Sequence, residues 1–202
     1  MATWSSNRLF IGSKGGTPVG HVCPWWLGYV LASPLRRIFQ PQERILGDYV
    51  KAGMTVLDVG SGMGYFSLWM ARTVTESGRV VCVDLQEKML RSLKRRAVKA
   101  GLEARIEVRV CGKDNLGIND LAGQIDFALL FAVAHEVPDP LGMLSQVQKA
   151  LNADGACLLA EPRGHVTEAE FEDTVRLTGE AGFYIIDRPA VPRSRAALFG
   201  KH

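Results

Sequence analysis

Three glycines at alternate positions constrain the fold of this chain more than any other feature of its sequence. The stretch VLDVGSGMGYFSL places Gly60, Gly62 and Gly64 between a predicted buried strand and a predicted helix. Because glycine has no Cβ atom, the backbone can turn tightly here and approach a ligand closely. The pattern therefore predicts a β-to-α turn that binds a small polar or anionic ligand. A turn that binds no ligand is the alternative.

Predicted strands and helices alternate from Thr55 onwards. Five strands read TVLDVG, RVVCVD, RIEVRV, IDFALLF and GACLLAEP, and helices are predicted after the first, second, fourth and fifth of them. The segments FYIID and RAALFG are separated by RPAVPRS, which is too short for a crossover helix and predicts an antiparallel hairpin. The expected fold class is α/β, a doubly wound, seven-stranded, mostly parallel sheet that ends in this hairpin. Ligands of such sheets bind beyond the carboxyl ends of the strands.

Capping residues predict the ends of several helices. A first helix is expected to open at Pro41 and to close before Gly53. Asp139 is expected to cap the helix that begins with the next residue, a proline. Thr167 and Glu170 have the spacing of a capping box, which opens the last helix.

Two aspartates flank the glycine turn and narrow the choice of ligand. Asp58 ends the first strand, where its carboxylate would attract an ammonium group and repel a pyrophosphate. Asp84 ends the second strand, and an acid at that place can accept hydrogen bonds from both hydroxyl groups of a ribose. Each acid alone can also be a helix cap. Together with the glycines, they predict a pocket for a nucleoside that carries a positively charged amino-acid tail.

The pattern D-x-G-x-G-x-G, followed by the second acid, resembles the cofactor motif of class I S-adenosylmethionine-dependent methyltransferases, which have a Rossmann-like sheet. The resemblance covers about Val50 to Gly200. It implies S-adenosylmethionine as cofactor, S-adenosylhomocysteine as product, contact of Gly60 to Gly64 with the methionine part, and packing of Leu85 beside the adenine. After the third strand, either Lys113 or Asp114 is expected to reach the base. The expected cofactor-binding residues are Asp58, Gly60, Ser61, Gly62, Gly64, Tyr65, Asp84, Leu85, Gly112, Lys113, Asp114 and Phe131.

Three titratable residues follow or end the fourth and fifth strands and are candidates for catalysis. His135 follows the fourth strand, and its ordinary pKa near 6.5 suits a general base. Glu161 ends the fifth strand, where it can orient His135 or the substrate, and His165 can act as a second base. The alternative is that these side chains only support polar turns.

The segment FAVAHEVPDP resembles the small-molecule branch of the family, which includes ubiquinone and menaquinone biosynthesis methyltransferases. The (N/D)-P-P-(Y/F) tetrad of enzymes that methylate amino groups of nucleic acids is absent from that position. The resemblance implies methyl transfer to a small, partly apolar acceptor. RNA and a metalloid or thiol are alternative acceptors, and a non-catalytic S-adenosylmethionine-binding regulatory protein is an alternative of another class.

The first 50 residues are expected to form an extension of loop and helix, with the methyltransferase domain in residues 51–202. An uncharged run in this extension contains Trp25, Trp26 and Tyr29, whose rings offer a large apolar area with polar tips. We expect these three residues to bind the substrate, together with the histidine after the fourth strand, as a lid over the pocket. Packing on the core of the sheet, or contact with a membrane surface through the two arginines that follow, are alternatives.

Composition narrows the remaining possibilities. Hydrophobic residues make up 47% of the chain and charged residues 22%, as in ordinary globular proteins. The formal net charge of +3 is too small to indicate nucleic-acid binding, and the basic face of the helix around Lys94 is expected to be solvated. The apolar run is shorter than the ~20 residues that cross a bilayer, and the first residues lack the pattern of a secretion signal. We therefore expect a cytoplasmic protein.

The four cysteines are widely spaced and form no C-x-x-C pair, which indicates reduced thiols and no metal site. Cys82 and Cys157 lie inside predicted strands and are expected in the core. Cys23 and Cys111 are the residues that could hold a metalloid acceptor.

Overall fold

A seven-stranded sheet forms the centre of the molecule in the computed structural model, which describes residues 40–202. The strands are β1 (Thr55–Val59), β2 (Arg79–Asp84), β3 (Ile106–Val110), β4 (Ile125–Phe131), β5 (Leu151–Pro162), β6 (Phe183–Asp187) and β7 (Ser194–Lys201). Their order across the sheet is β3-β2-β1-β4-β5-β7-β6. The first five strands are parallel, and β7 pairs antiparallel with both β5 and β6. The predicted fold class is confirmed.

Five α-helices within residues 40–202 connect or flank these strands. They are α1 (Gln42–Leu46), α2 (Ser67–Thr73), α3 (Glu87–Lys99), α4 (Pro140–Ala150) and α5 (Glu168–Glu180). Short 3-10 turns cover Glu103–Arg105, Asn119–Leu121 and Ala134–Glu136. Each helix of this part of the chain is too short or too polar to cross a lipid bilayer.

Alternate side chains of the sheet enter two separate hydrophobic cores. Val56 packs into one core with the buried faces of α1, α2 and α3. Its neighbour Leu57 points to the opposite face and packs with α4 and α5. This alternation follows from the two-residue period of a strand, and it explains why the central strands read as continuous apolar runs.

The predicted caps are present at α4 and α5. The Asp139 side chain accepts a hydrogen bond from the N–H of Gly142, and Thr167 and Glu170 form the full capping box. The helix expected between Pro41 and Gly53 is shorter than predicted, because it ends at Leu46 and the chain continues as turns. The glycine and aspartate that follow Leu46 are poor helix formers, which accounts for the early end.

Strand β5 is longer than the predicted GACLLAEP, since it begins directly after α4 at Leu151. Leu151 pairs with Ile125, and a register shift between Ile125 and Phe127 accommodates the extra residues. The carboxyl ends of β1, β2, β4 and β5 lie along one edge of the sheet, which we call the carboxyl rim. The candidate residues named from the sequence follow these strand ends.

Candidate active site

The three glycines of the β1–α2 turn have different physical roles. All have positive φ, with values of +72°, +54° and +81° for Gly60, Gly62 and Gly64. A Cβ atom on Gly60 would lie 2.8 Å from a methyl group of Val133, and one on Gly64 would lie 2.8 Å from Cγ of Leu93. A Cβ on Gly62 would meet nothing within 4 Å. Close packing therefore explains two of the glycines, whereas Gly62 leaves open space above the turn.

Asp84 connects the glycine turn to the end of β2. One carboxylate oxygen accepts a 2.8 Å hydrogen bond from the N–H of Gly62, and the other accepts one of the same length from the N–H of Gln86. Burial raises the pKa of Asp84, and these two bonds oppose the rise. Each carboxylate oxygen has a second lone pair, so Asp84 retains the capacity to accept ribose hydroxyl groups.

Asp58 lies deeper than its predicted role requires. It is 2% exposed, and its carboxylate accepts a hydrogen bond from the hydroxyl of Ser67 on α2. Ser67 is fully buried and was not singled out in the sequence, although it lies nine residues beyond the aspartate at the start of the helix. Contact between Asp58 and an ammonium group stays a prediction.

Features around the turn fit a nucleoside with an amino-acid tail. The hydroxyl of Ser61 is buried and has no hydrogen-bond partner among residues 40–202, which leaves a polar group for a ligand to satisfy. Beside Asp84, the large apolar side chains of Leu85 and Val110 are 38% and 56% exposed. Two exposed apolar side chains next to a ribose-type acid provide surfaces for a flat base. The residues present therefore fit S-adenosylmethionine.

The loop after β3 is held by its own backbone. The N–H of Gly112 donates to the carbonyl of Asn115 at 2.8 Å, and Lys113 and Asp114 are both exposed. The carbonyl of Asp114 accepts a bond from Gln146 on α4. This arrangement leaves both charged side chains able to face a base, and the choice between them stays open.

Two of the expected cofactor-binding residues are buried and pack against other residues of the protein. Tyr65 is 8% exposed, and its hydroxyl donates to the carbonyl of Gln40 at 2.6 Å. Phe131 is 7% exposed and packs against Phe66, with ring centroids 4.6 Å apart. These contacts give both rings a role in the core beside the turn, and their contact with a cofactor stays a prediction.

His135 and Glu161 meet at the carboxyl rim. The imidazole Nδ1 lies 2.5 Å from Oε2 of Glu161, whose other carboxylate oxygen accepts a 2.7 Å bond from the N–H of Ala134. Glu161 is 1% exposed, so its carboxylate is fixed and shielded, whereas the His135 side chain is 25% exposed. The hydrogen bond that His135 donates to Glu161 raises the pKa of His135, although burial opposes this effect. Because a carboxylate only accepts hydrogen bonds, neutral His135 carries its proton on Nδ1 and presents Nε2 as a base.

The other charged groups near His135 are more loosely placed. Oε1 of Glu136 lies 4.0 Å from Nε2, which is beyond hydrogen-bond length. His165 is exposed, with its ring centroid 6.1 Å from that of His135. His165 therefore lies beside His135 as a tilted aromatic pair, and its role as a second base stays a prediction.

The chain that follows β4 is in contact with the glycine turn that follows β1. Val133, two residues before His135, lies so close to Gly60 that a Cβ atom on the glycine would be 2.8 Å from a methyl group of Val133. Ala132 has a φ of +58°, a strained value for a residue with a side chain, and its N–H donates to the carbonyl of Ala160. The strained turn directs the chain after β4 over the glycine turn, which places His135 beside the predicted cofactor pocket.

Sequence reasoning missed one residue that supports the turn. Arg96 lies on α3, whose basic face around Lys94 was expected to be solvated. It is instead half-buried, and its Nη1 donates to the carbonyl of Met63 at 2.5 Å. Burial lowers the pKa of Arg96. Its place next to the buried Ala97 and three residues after the buried Leu93 is the signal that could have identified it.

The expected lid residues Trp25, Trp26 and Tyr29 lie outside the described residues, as does Cys23. Of the other cysteines, Cys82 and Cys157 are fully buried in the core, as predicted. Burial raises the pKa of the Cys111 thiol, and the nearby Asp84 raises it further. Binding of a metalloid by Cys23 and Cys111 stays a prediction.

Comparison with known proteins places the chain among methyltransferases. Residues 50–185 match a family model described as a methyltransferase domain. A protein-L-isoaspartate O-methyltransferase from Korarchaeum cryptofilum is 30% identical over 155 residues, which cover 66% of this chain and 68% of that protein. One from Thermotoga maritima is 34% identical over 87 residues, or 43% of this chain and 26% of that protein.

The chain spans less than a third of the length of two curated relatives that it matches. A crystal structure of a SAM-dependent methyltransferase from Aquifex aeolicus superposes with a TM-score of 0.79 and 21% identity. That match covers 89% of this chain and 98% of the other, so the two proteins share the fold over nearly their whole length.

Proposed function

The chain belongs to the methyltransferase-domain family, and on this premise we propose that it uses S-adenosylmethionine to methylate a hydroxyl group of a small, partly apolar acceptor. The observation that carries the choice of acceptor atom is the contact between His135 and the buried Glu161. A base held in this way is needed when the attacking atom carries a proton, whereas a thiolate or a carboxylate attacks without one.

The cofactor half of the site is formed by β1, β2 and the turn between β1 and α2. Asp84 would bind the ribose, the exposed faces of Leu85 and Val110 would flank the base, and the space over Gly62 would take the amino-acid tail. Bound S-adenosylmethionine supplies a methyl group on a cationic sulfur.

In the proposed reaction, Nε2 of His135 takes the proton of the acceptor hydroxyl. Bound S-adenosylmethionine would supply its methyl group to the acceptor oxygen and would leave as neutral S-adenosylhomocysteine, whose sulfur would keep the electron pair of the carbon–sulfur bond. Glu161 stabilises the imidazolium that results and fixes the ring so that Nε2 faces the acceptor. Glu161 is thus a positioning residue for the base.

Calorimetry with S-adenosylhomocysteine tests the cofactor assignment. We expect binding by the wild-type protein, and binding at least tenfold weaker by Asp84→Ala, because hydrogen bonds to a charged acceptor contribute about 1.5–3 kcal/mol each. The control is Asp154→Ala, since Asp154 lies at the exposed amino-terminal part of β5, away from the carboxyl rim. Failure of millimolar S-adenosylhomocysteine to bind the wild-type protein would refute the proposal.

Transfer from methyl-labelled S-adenosylmethionine to a cell extract tests the acceptor. We expect label in a low-molecular-weight fraction that partitions into organic solvent. Label lost on nuclease treatment would identify RNA as acceptor, and the absence of any label would favour a regulatory protein that binds the cofactor without transfer.

A second candidate is methylation of a protein carboxylate, which the named activity of the two isoaspartate O-methyltransferase relatives favours. A carboxylate is already ionised near neutral pH and needs no base. This candidate therefore predicts label in protein, released by mild alkali as expected for a methyl ester, and little change in rate on His135→Asn. The hydroxyl proposal predicts a loss of at least a hundredfold for the same variant.

A further inference from the structure

A second cavity lies on the carboxyl rim, beyond the end of β5 on the side away from β1. Its volume is about 370 Å³, within the range of small-molecule sites. The turn after β5, the first turns of α5, the β6–β7 loop and the start of β7 form its walls. The lining residues that matter below are Arg163, Phe171, Arg188, Val191, Ser194 and Arg195.

The cavity is built on β5 and β7, and β5 also carries Glu161, the residue that holds the proposed base. Arg195 is the direct cross-strand partner of Glu161 in the antiparallel pairing of β5 with β7, and Ser194 is the partner of Pro162. Residues directly opposite in such a pair point to the same face, with Cβ atoms about 4.5–5.5 Å apart. A molecule in the cavity would therefore lie next to the residue that holds His135.

The three arginines of the cavity differ in their hydrogen-bond partners. Arg188 is neutralised by Glu172 through two bonds of 2.6 and 2.8 Å. Arg163 and Arg195 instead donate to backbone carbonyls, through Nε to Ser194 at 3.1 Å and through Nη1 to Val166 at 2.8 Å. Within residues 40–202, neither of these two guanidinium groups is within ion-pair distance of a carboxylate. The backbone bonds fix both groups in place and leave other N–H donors of each for a ligand.

The remaining groups define the charge and polarity of a matching ligand. Besides the paired Glu172, one further carboxylate, Glu168, lines the cavity, so the formal charge is +1. Ser194 is 2% exposed, and in the described part of the chain its hydroxyl has no hydrogen-bond partner. Phe171 and Val191 contribute apolar wall. The combination matches a singly charged anion attached to an apolar body.

We propose that this cavity binds a carboxylate group of the acceptor, which thereby anchors the acceptor with its hydroxyl group toward His135. The proposal rests on the proposed function for the identity of the ligand as the acceptor. The planar guanidinium groups of Arg163 and Arg195 match the geometry of a carboxylate. The acceptor class is therefore a hydroxylated organic acid with an apolar body.

The test compares phenylacetate with phenylacetamide, an uncharged analogue of similar size, by calorimetry on the full chain saturated with S-adenosylhomocysteine. We expect phenylacetate to bind at least tenfold more tightly. Arg163→Met and Arg195→Met should each weaken phenylacetate binding at least tenfold, with unchanged affinity for S-adenosylhomocysteine. Arg176→Met, in an exposed arginine that pairs with Glu180 near the end of α5, is the control and should bind phenylacetate as the wild type does.

Several outcomes would overturn the carboxylate assignment. These are equal affinity for the two probes, full binding by the Arg163→Met variant, or tighter binding of inorganic phosphate than of phenylacetate. Because Arg163 is exposed, its variant should fold even where loss of the half-buried Arg195 lowers stability. Lack of S-adenosylhomocysteine binding by the wild-type protein would instead refute the proposed function, so the two failures are distinguishable.

Discussion

Replacement of Glu161 by glutamine should switch the tautomer of His135. The carboxylate accepts from two groups, the N–H of Ala134 at 2.7 Å and Nδ1 of His135 at 2.5 Å. Glutamine has only one carbonyl oxygen. When that oxygen keeps the bond to Ala134, its amide group donates to Nδ1 and the imidazole proton moves to Nε2. The nitrogen that faces the acceptor then cannot take a proton.

The expected loss of activity is large and the expected loss of stability is small. General base catalysis contributes about 10²–10⁴ in rate, or roughly 2.7–5.4 kcal/mol, so kcat/KM should fall at least a hundredfold. The variant keeps both hydrogen bonds but exchanges a charged acceptor for neutral groups, which costs about 1 kcal/mol of folding free energy. Glu161→Gln should therefore remain folded and bind S-adenosylhomocysteine normally.

The pH dependence has a definite sign. Glu161 raises the pKa of His135, and only the unprotonated imidazole acts as base, so wild-type kcat/KM should rise with pH through a value above the ordinary pKa near 6.5. Because the pKa is higher in the folded state, the pair stabilises the fold fully below the unfolded pKa and loses this effect as pH rises through the folded pKa. The stability difference between wild type and Glu161→Gln should therefore be larger at about pH 5.5 than at about pH 9.

Nitrogen-15 NMR of the imidazole rings measures the tautomer directly and needs no identified acceptor. We expect Nδ1–H in the wild type and Nε2–H in Glu161→Gln. Glu136→Gln is a matched control, because Glu136 lies 4.0 Å from the other ring nitrogen and its loss should leave the proton on Nδ1. A wild-type ring with its proton on Nε2, or a Glu161→Gln enzyme with an unchanged pH profile, would refute the role assigned to this pair.

Further predictions concern the cofactor turn and a helix cap. Gly60→Ala and Gly62→Ala should each add about 1–2 kcal/mol of backbone strain. Only Gly60→Ala also clashes with Val133, so this variant should unfold at the lower temperature. The second substitution Val133→Ala should restore part of its stability. Gly62→Ala should instead weaken S-adenosylhomocysteine binding in calorimetry. Asp84→Asn should weaken binding as well, because its amide group would face one of the two backbone N–H donors. Asp139→Ala removes the cap of α4 and should cost about 1 kcal/mol, or about 2–4 °C in Tm by calorimetric scanning, without a change in cofactor affinity.

Local patterns predicted the elements that depend on local physics. Strand β4 runs from Ile125 to Phe131 as its apolar run indicated, and the caps at Asp139 and Thr167 form as their spacing required. The sequence also predicted the glycine turn. Glycine adopts positive φ at little cost, and all three glycines of the turn have positive φ. Each of these features is determined by residues within one or two turns of chain.

Features that depend on distant pairing could not be read in the same way. The sequence placed His135 and Glu161 at the ends of different strands, but only the adjacency of β4 and β5 brings them into contact. The sequence also did not predict that β7 lies between β5 and β6. The pairing of β5 with β7 places Arg195 opposite Glu161. The pairing register between strands that are far apart in sequence depends on the packing of the whole sheet. The local alternation of apolar and polar residues does not determine it.

The carboxyl rim has a cofactor half, at the ends of β1 and β2, and a proposed acceptor half, at the ends of β4 and β5. The two halves depend on different parts of the chain, and this difference helps to identify the acceptor. The cofactor half depends on backbone geometry, through the glycine turn and the N–H groups that Asp84 accepts from. In the proposed function, the acceptor half depends instead on side chains that follow β4, end β5 or begin β7, such as His135 and Arg195. Relatives can therefore share the cofactor and differ in the acceptor. Substitutions at His135 or Arg195 should change acceptor KM or kcat at constant cofactor Kd, and equal losses in both would show that the two halves are not separable.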